Sequence, residues 1–184
     1  MKLLLHCCCA PCSVSFVKKL RDENIKPRLF WYNPNIHPFT EYASRRDNLK
    51  SFADAENTEL VLCDEYGLRA FLAEVYAKIN EPRCETCYRL RLEKTAAYAA
   101  LNGFSAFTTT LLISPYQNHD AIKCIGQEFA SKYKVEFLYR DFRPLFREGQ
   151  SLARAKGFYM QKYCGCVFSE EERYQGNYEN KSNI

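Results

Sequence analysis

Short apolar runs alternate with longer amphipathic stretches along almost all of this 184-residue chain. The apolar runs have the length and the residue types of buried strands, and the stretches between them have helical spacing. Strands that alternate with helices are typical of an α/β layer fold with a mostly parallel sheet, because parallel neighbours need a crossover between them. We predict strands over residues 2–6, 28–32, 60–63, 106–109 and 135–139. We predict helices over residues 14–20, 38–56, 68–79, 84–101, 120–132 and about 149–156.

The size and composition of the chain suit one domain with a full hydrophobic core. Hydrophobic residues make up 47% of the sequence and aromatic residues 15%, so the chain does not need cross-links in order to fold. We predict a catalytic domain over residues 1–174 and a polar tail over residues 175–184. The sequence shows no signal peptide and no apolar run long enough to cross a membrane, so we expect a cytoplasmic protein.

Polar and reactive side chains follow each predicted strand. The carboxyl ends of parallel strands meet at one edge of a sheet, which is where ligands bind in such folds. Cysteines follow the first strand, Asn33 the second, Asp64 the third, Thr110 the fourth and Asp141 the fifth. We therefore expect the active site at this edge. The formal net charge of +4 permits a nucleic-acid partner without requiring one.

Ten cysteines are many for a cytoplasmic chain, where clustered thiols indicate metal or redox chemistry more often than structural disulfides. Eight of them fall into three groups. The groups are Cys7, Cys8, Cys9 and Cys12; Cys84 and Cys87; and Cys164 and Cys166. The first group precedes a predicted helix, whose amino end favours thiolates. The second is a C-x-x-C motif, which zinc sites, iron–sulfur clusters and redox dithiols all use.

The third group, Cys164-Gly165-Cys166, allows a small, strained disulfide of the redox-active kind, since glycine tolerates the backbone that such a ring needs. A zinc site would leave this group without a role, whereas a cluster beside a redox dithiol would use all three groups. The alternative is a zinc-stabilised RNA-binding module without catalytic activity. Cys63 and Cys124 stand alone and are expected to pack as small apolar residues.

Five segments in this order resemble the QueH family of epoxyqueuosine reductases. They are LHCCCAPCS, YNPNIHPFTEYASR, RCETCYRLRLEKTA, TTTLLISPYQNHDAI and YCGCVFS. The resemblance implies a Rossmann-like fold akin to the adenine-nucleotide α-hydrolase group. It also implies reduction of the epoxide of epoxyqueuosine, at the wobble position of tRNA, to queuosine.

The resemblance further implies a 4Fe-4S cluster and a redox-active cysteine pair. The cluster ligands of the family fall on Cys8, Cys9, Cys84 and Cys87, and its redox-active pair falls on Cys164 and Cys166. An electron donor, which the sequence does not identify, would complete the reaction. The family usually has an apolar residue where this chain has Cys7, so a ligand pair that includes Cys7 stays open. It commonly has arginine where this chain has Met160, so Arg154 or Lys162 would have to replace that cation.

Two further sets of residues are candidates from the chemistry that the reaction needs. Oxygen leaves an epoxide more easily with a Lewis acid or a proton donor. Cys12 and Asp64 could hold an additional mononuclear iron for that purpose, or could themselves donate the proton. A modified base must leave its stack to be reached, and such bases are bound by stacking and by edge contacts. Residues that could bind the substrate in this way are Asn33, Arg45, Tyr88, Arg89 and Tyr116.

Overall fold

In the computed structural model, which describes residues 1–182, five strands form a single parallel sheet. The strands are β1 (Leu3–His6), β2 (Arg28–Trp31), β3 (Leu60–Leu62), β4 (Ala106–Thr109) and β5 (Glu136–Phe137). Their order in the sheet is β3-β2-β1-β4-β5, with β1 hydrogen-bonded to β2 on one side and to β4 on the other. The predicted Rossmann-like α/β class with a parallel sheet is confirmed.

Two helical layers enclose the sheet. The helices are α1 (Ala10–Asp22), α2 (Phe39–Ala55), α3 (Leu68–Ala77), α4 (Arg83–Leu101), α5 (His119–Tyr133), α6 (Phe146–Ala155) and α7 (Val167–Ser182). α1 packs against α2 and α6, whereas α4 packs against α3 and α5. With helices on both faces, the central strand is buried throughout, which explains the continuous Leu3-Leu4-Leu5 run that begins the sheet.

His6 ties together the carboxyl ends of the central strands. Its Nδ1 lies 2.9 Å from the Thr109 hydroxyl at the end of β4, and its Nε2 lies 3.2 Å from Oδ1 of Asn33, just beyond β2. Burial, assisted by the nearby Arg91 guanidinium, lowers the pKa of His6 to about 4. The ring is therefore neutral near pH 7 and serves as a fixed brace under the loops that follow the strands.

The last helix is the main element that the sequence pattern did not predict. α7 runs from Val167 to Ser182, so residues 175–182 continue a helix, while residues 183 and 184 lie outside the described part. Its sequence is dominated by charged and polar residues and lacks the apolar stripe by which a packed helix is recognised. The domain boundary after residue 174 stays a prediction. No helix in the described residues is long and apolar enough to span a membrane.

Candidate functional site

Three cysteine sulfurs meet where β1 turns into α1. The sulfurs of Cys8, Cys9 and Cys12 all lie within 4.8 Å of one another, and those of Cys8 and Cys9 are 3.7 Å apart. Cys9 caps the amino end of α1 and Cys12 lies in its first turn, which Pro11 helps to start. Because the turn from strand to helix is this short, all three thiols are held at the predicted edge of the sheet.

These three thiols together favour a single negative charge on Cys8. Hydrogen bonds from Cys12 and Cys9 lower the pKa of Cys8 well below that of a free thiol, and Thr110 and Arg91 lower it further. Burial raises the pKa of Cys9, and the hydrogen bonds that Cys12 gives to Cys8 and Cys9 raise its own pKa. A group of buried thiols with one thiolate already in place is prepared to bind a thiophilic metal, which displaces the remaining protons.

Cys7 faces away from this group. Its thiol donates to the carbonyl oxygen of Leu5 at 3.4 Å, it is fully buried, and burial raises its pKa to about 12. Cys7 still continues the strand, since its backbone nitrogen donates to the carbonyl of Phe30 at 2.9 Å, and its sulfur does not belong to the group of three. The geometry therefore favours Cys8 and Cys9 over Cys7 as metal ligands.

The C-x-x-C motif occupies the first turn of α4. Cys87 is buried and belongs to the same apolar cluster as Cys166, whereas Cys84 is exposed. Burial raises the pKa of Cys87 to about 12, and neighbouring Cys164 and Cys166 add to the rise. Although Cys84 is exposed as a residue, partial burial of its sulfur raises the pKa of this thiol as well, and the nearby Cys164 adds to the rise. The second and third cysteine groups are thus neighbours in space.

A buried arginine, Arg91, donates hydrogen bonds to the C-x-x-C motif, and its charge bears on which ligands the site can hold. The guanidinium of Arg91 donates to the sulfur of Cys87 at 2.7 Å and to the carbonyl of the same residue at 3.1 Å. Those are its hydrogen bonds within the described residues, and only 2% of Arg91 is exposed. A buried cation needs an anion, and the Cys8 thiolate, whose pKa Arg91 helps to lower, supplies one. Thiolates bound to a metal would place further negative charge beside Arg91, so the donor set is compatible with a thiolate-ligated metal or an iron–sulfur cluster.

The C-G-C loop presents its two thiols in different directions. Cys164 lines a cavity and accepts a hydrogen bond from Nε2 of Gln117 at 3.4 Å, while Cys166 packs beside Cys87. Both are free thiols. Gly165 between them has a φ of +145°, a conformation that side-chain-bearing residues rarely adopt, and a Cβ there would lie 3.2 Å from both Arg45 and Ile36.

Arg45 fixes the backbone of the C-G-C loop through hydrogen bonds. It is buried, with 1% exposed, and its Nε donates to Glu41 at 2.6 Å. Its two terminal nitrogens donate to the carbonyl oxygens of Cys164 at 2.8 Å and Tyr163 at 3.0 Å. The backbone nitrogen of His37 donates to the next carbonyl, that of Gly165, at 2.7 Å. Three consecutive carbonyls of the loop are therefore fixed against α2 and the segment before it.

Replacing Arg45 with lysine should lower the free energy of unfolding by about 2 kcal/mol, because an ammonium group cannot reproduce this fork of hydrogen bonds. Urea denaturation of the metal-free protein would measure the change. Arg46→Lys is the matched control, since Arg46 lies on the same helix and pairs with exposed Asp47 and Asp64; we expect it to cost less than about 0.5 kcal/mol. Equal losses in the two variants would contradict the role given to Arg45.

A cavity of about 930 Å³ opens above the thiols. Cys8, Cys12 and Cys164 line it, and so does Tyr116, whose ring is 83% exposed. Its lining contains no aspartate or glutamate among the described residues. The cationic residues that line it are Arg45, Arg91, Arg147, Arg154, Lys162 and Arg173. A site with this charge attracts polyanions.

Gln161 is a residue of this site that the sequence does not single out, whereas Arg91 is one of three arginines that the sequence places beside the C-x-x-C motif. Nε2 of Gln161 donates to the Cys9 sulfur at 2.9 Å and lies 3.9 Å from that of Cys12. Its Oε1 is buried without a hydrogen-bond partner in the described structure. The one sequence signal for both residues is their position within the recognised motifs or next to them.

Four of the other predicted site residues are engaged within the protein. Asn33 is fully buried and donates to the carbonyl of Cys7 at 2.9 Å. Tyr88 is also buried and donates to Gln117 at 3.0 Å, and Arg89 makes a two-pronged ion pair with Glu128. Asp64 accepts from Tyr42 and Arg46 and does not belong to the thiol group that contains Cys12.

Comparisons with known proteins agree with this arrangement. The family model described as "Epoxyqueuosine reductase QueH" matches residues 3–172. A curated protein of that name from Dehalococcoides mccartyi is 37% identical over 173 residues, covering 94% of each chain. Another, from Thermotoga maritima, is 38% identical over 186 residues, covering 96% of this chain and 94% of the relative.

One solved structure shows the same fold at low sequence identity. It is described as a predicted subunit of a tRNA methyltransferase from Methanocaldococcus jannaschii, with a TM-score of 0.51 and 12% identity. The match covers 89% of this chain and 94% of the solved chain. At 12% identity it shows a shared fold and nothing more. The family model and the curated relatives extend over nearly the whole chain and include all three cysteine groups. The chain therefore belongs to the QueH family of epoxyqueuosine reductases, which are oxidoreductases.

Proposed function

We propose that this protein reduces the epoxide of epoxyqueuosine, at the wobble position of tRNA, to the cyclopentene of queuosine. The observation that carries the proposal is a cavity lined by thiols from two distant motifs, Cys8 and Cys12 of the first group and Cys164 of the third. Six cationic residues line the same cavity, and no carboxylate of the described residues does. Thiols at this density supply electrons and metal ligands. The cations suit the phosphates of an RNA substrate.

A 4Fe-4S cluster held by Cys8, Cys9, Cys84 and Cys87 is the cofactor that we propose. When bound, such a cluster supplies electrons at low potential. The buried guanidinium of Arg91 would balance the negative charge of the thiolates, and Gln161 would donate a hydrogen bond to Cys9. Hydrogen bonds and buried charge of this kind set the potential at which sulfur-ligated centres work.

The Cys164 and Cys166 pair matches the stoichiometry of the reaction. Conversion of the epoxide to an alkene takes up two electrons and two protons and releases water. Oxidation of the two thiols to a disulfide provides two electrons and two protons, so the overall reaction balances. Cys164 lines the cavity where the substrate would bind, and Cys166 packs beside Cys87. An external donor must then reduce the disulfide, and the sequence does not identify that donor.

The wobble nucleotide would leave the anticodon loop and enter the cavity. Tyr116 offers an exposed ring against which a neighbouring base can stack. Asn33, Tyr88 and Arg89 would act indirectly, by holding the walls of the site. Arg45 lines the cavity and holds the C-G-C loop, so it would position the dithiol for the substrate.

Cys12 remains a candidate for a further role as ligand of an additional mononuclear iron. Its sulfur lies with those of Cys8 and Cys9 and lines the cavity. Asp64 would have to exchange its bonds to Tyr42 and Arg46 before it could bind the same ion. An iron content in the active enzyme that never exceeds the complement of the cluster would exclude the second ion.

The test begins with the absorption spectrum and the iron and sulfide content of protein purified without oxygen. We expect a broad band near about 400 nm that bleaches on reduction, with roughly four irons per chain. The same preparation should then convert epoxyqueuosine to queuosine in tRNA when dithionite supplies the electrons. Colourless protein that binds zinc after attempted cluster reconstitution, and that binds RNA without reducing it, would favour the zinc-stabilised binding module instead.

A further inference from the structure

Helix α6 presents one polar face to the cavity. Arg147, Gln150 and Arg154 line the cavity and recur at intervals of three and four residues, which places them along one side of the helix. We call these three residues the α6 stripe. Gly149 and Ala153 are buried on the other side of the helix, which packs against α1.

The cations of the stripe have no partner within the described protein. The side chains of Arg147, Arg154 and nearby Lys162 form no ion pair, hydrogen bond or ring contact with any residue that the structure describes. The one acidic residue of α6, Glu148, is paired with Lys18 of α1 at 2.9 Å. Three cations with unpaired side chains, beside a cavity that no carboxylate of the described residues lines, produce a positive field that an anionic ligand would neutralise.

The spacing of these cations suits an extended anion better than a compact one. Arg147 and Arg154 are seven residues apart, which corresponds to about 10 Å along a helix. A single phosphate group needs donors that converge on one point, usually from a glycine-rich loop at a helix start. The loop before α1 carries cysteines instead of glycines, and Pro11 in the first turn has no backbone N–H to donate. Tyr116 lies at the same cavity, 83% exposed, with its ring edge-on to Phe146 at 5.9 Å.

We propose that the α6 stripe, Lys162 and Tyr116 bind the single-stranded RNA backbone that flanks the target nucleotide. The inference rests on the proposed function and adds to it where and how the RNA is held. Phosphate contacts and stacking carry little sequence information. Most of the affinity therefore comes from groups that never touch the modified base, so tRNA binds almost equally well before and after the base is modified.

The experiment measures the binding of a fluorescent anticodon stem–loop RNA with unmodified guanosine at the wobble position. Protein purified without oxygen is titrated at several salt concentrations between about 50 and 200 mM. Arg147→Ala/Arg154→Ala should reduce the slope of log affinity against log salt by about 1.4, since each lost contact to a single strand removes about 0.7. Tyr116→Ala should weaken binding about tenfold, and Tyr116→Phe should not.

The control variant is Lys132→Ala/Lys156→Ala, which removes the same charge from two lysines that are paired with Glu93 and Glu56. It should leave the salt slope unchanged. An unchanged slope in the arginine variant, confirmed as folded by its thermal transition, would overturn the proposal. So would displacement of the RNA by millimolar ATP, which would indicate a site for small phosphates.

Binding and reduction are read separately, so the two proposals can fail separately. Salt-dependent binding that follows these expectations, without reduction of epoxyqueuosine, would contradict the proposed function and retain the RNA surface. Full reduction by the Arg147→Ala/Arg154→Ala variant, with an unchanged Michaelis constant for tRNA, would contradict the RNA surface and support the proposed function. Binding of the unmodified RNA that is weaker than that of the modified RNA by more than about tenfold would also contradict the inference, because the base would then carry the affinity.

Discussion

Cys8→Ala is expected to reduce the bound iron to near zero, whereas Cys7→Ala is expected to retain it. The reason is the opposite orientation of the two side chains. The Cys8 sulfur is grouped with those of Cys9 and Cys12, and its pKa is lowered by hydrogen bonds from both. The Cys7 thiol donates to a strand carbonyl on the other side, and burial raises its pKa to about 12.

The measurement is absorbance near 400 nm, with iron and sulfide per chain, after reconstitution without oxygen. Cys7→Ala removes one fully buried sulfur and should cost about 1 kcal/mol of stability while the protein keeps its colour. Cys124→Ala is the control for thiol content alone, because Cys124 is exposed on α5 and the prediction that it packs in the core is wrong. If the Cys8→Ala protein is coloured and the Cys7→Ala protein is colourless, then Cys7 is a ligand in place of Cys8, and the proposed ligand set is wrong.

Local pattern was enough to predict the sheet and the edge at which the thiols lie. The Leu3–Leu5 run, its counterparts in β2 and β4, and the helical spacing between them each depend on burial on both faces of a parallel sheet. Once five such strands are parallel, the residues that follow them must meet at one edge. The cysteine groups at residues 7–12 and the polar residues after β2 and β4 came together for that reason.

The roles of the buried arginines could not be predicted in the same way. Glu41 and Arg45 are four residues apart on a helix, which is the spacing of an ordinary surface ion pair. They are buried because the C-G-C loop, more than a hundred residues later in the chain, lies over them. The sequence places Arg91 beside the C-x-x-C motif, but its burial close to Cys8 and Cys164 of distant segments does not follow from that position. Contacts between distant segments decide such cases, and a single sequence does not contain them.

Cys164→Ala is expected to keep the colour and iron content of the parent protein while turnover falls about 10³-fold or more. Cys164 lines the cavity, and its interactions are with Gln117 and the loop rather than with the three thiols at the start of α1. Its removal therefore deletes half of the proposed two-electron store and leaves the proposed cluster ligands in place. Loss of the absorbance band in this variant would instead make Cys164 a metal ligand.

A single-turnover experiment separates an electron store from a structural thiol. Parent protein reduced beforehand and freed of excess reductant should convert about one equivalent of epoxyqueuosine tRNA, because one dithiol carries the two electrons that the reaction consumes. Cys166→Ala should convert none under the same conditions, although its cluster can still be reduced. Cys63→Ala is the control, since that partly exposed cysteine directly follows β3 and belongs to none of the three thiol groups. Equal conversion by the parent and by Cys166→Ala would show that electrons reach the substrate without the pair.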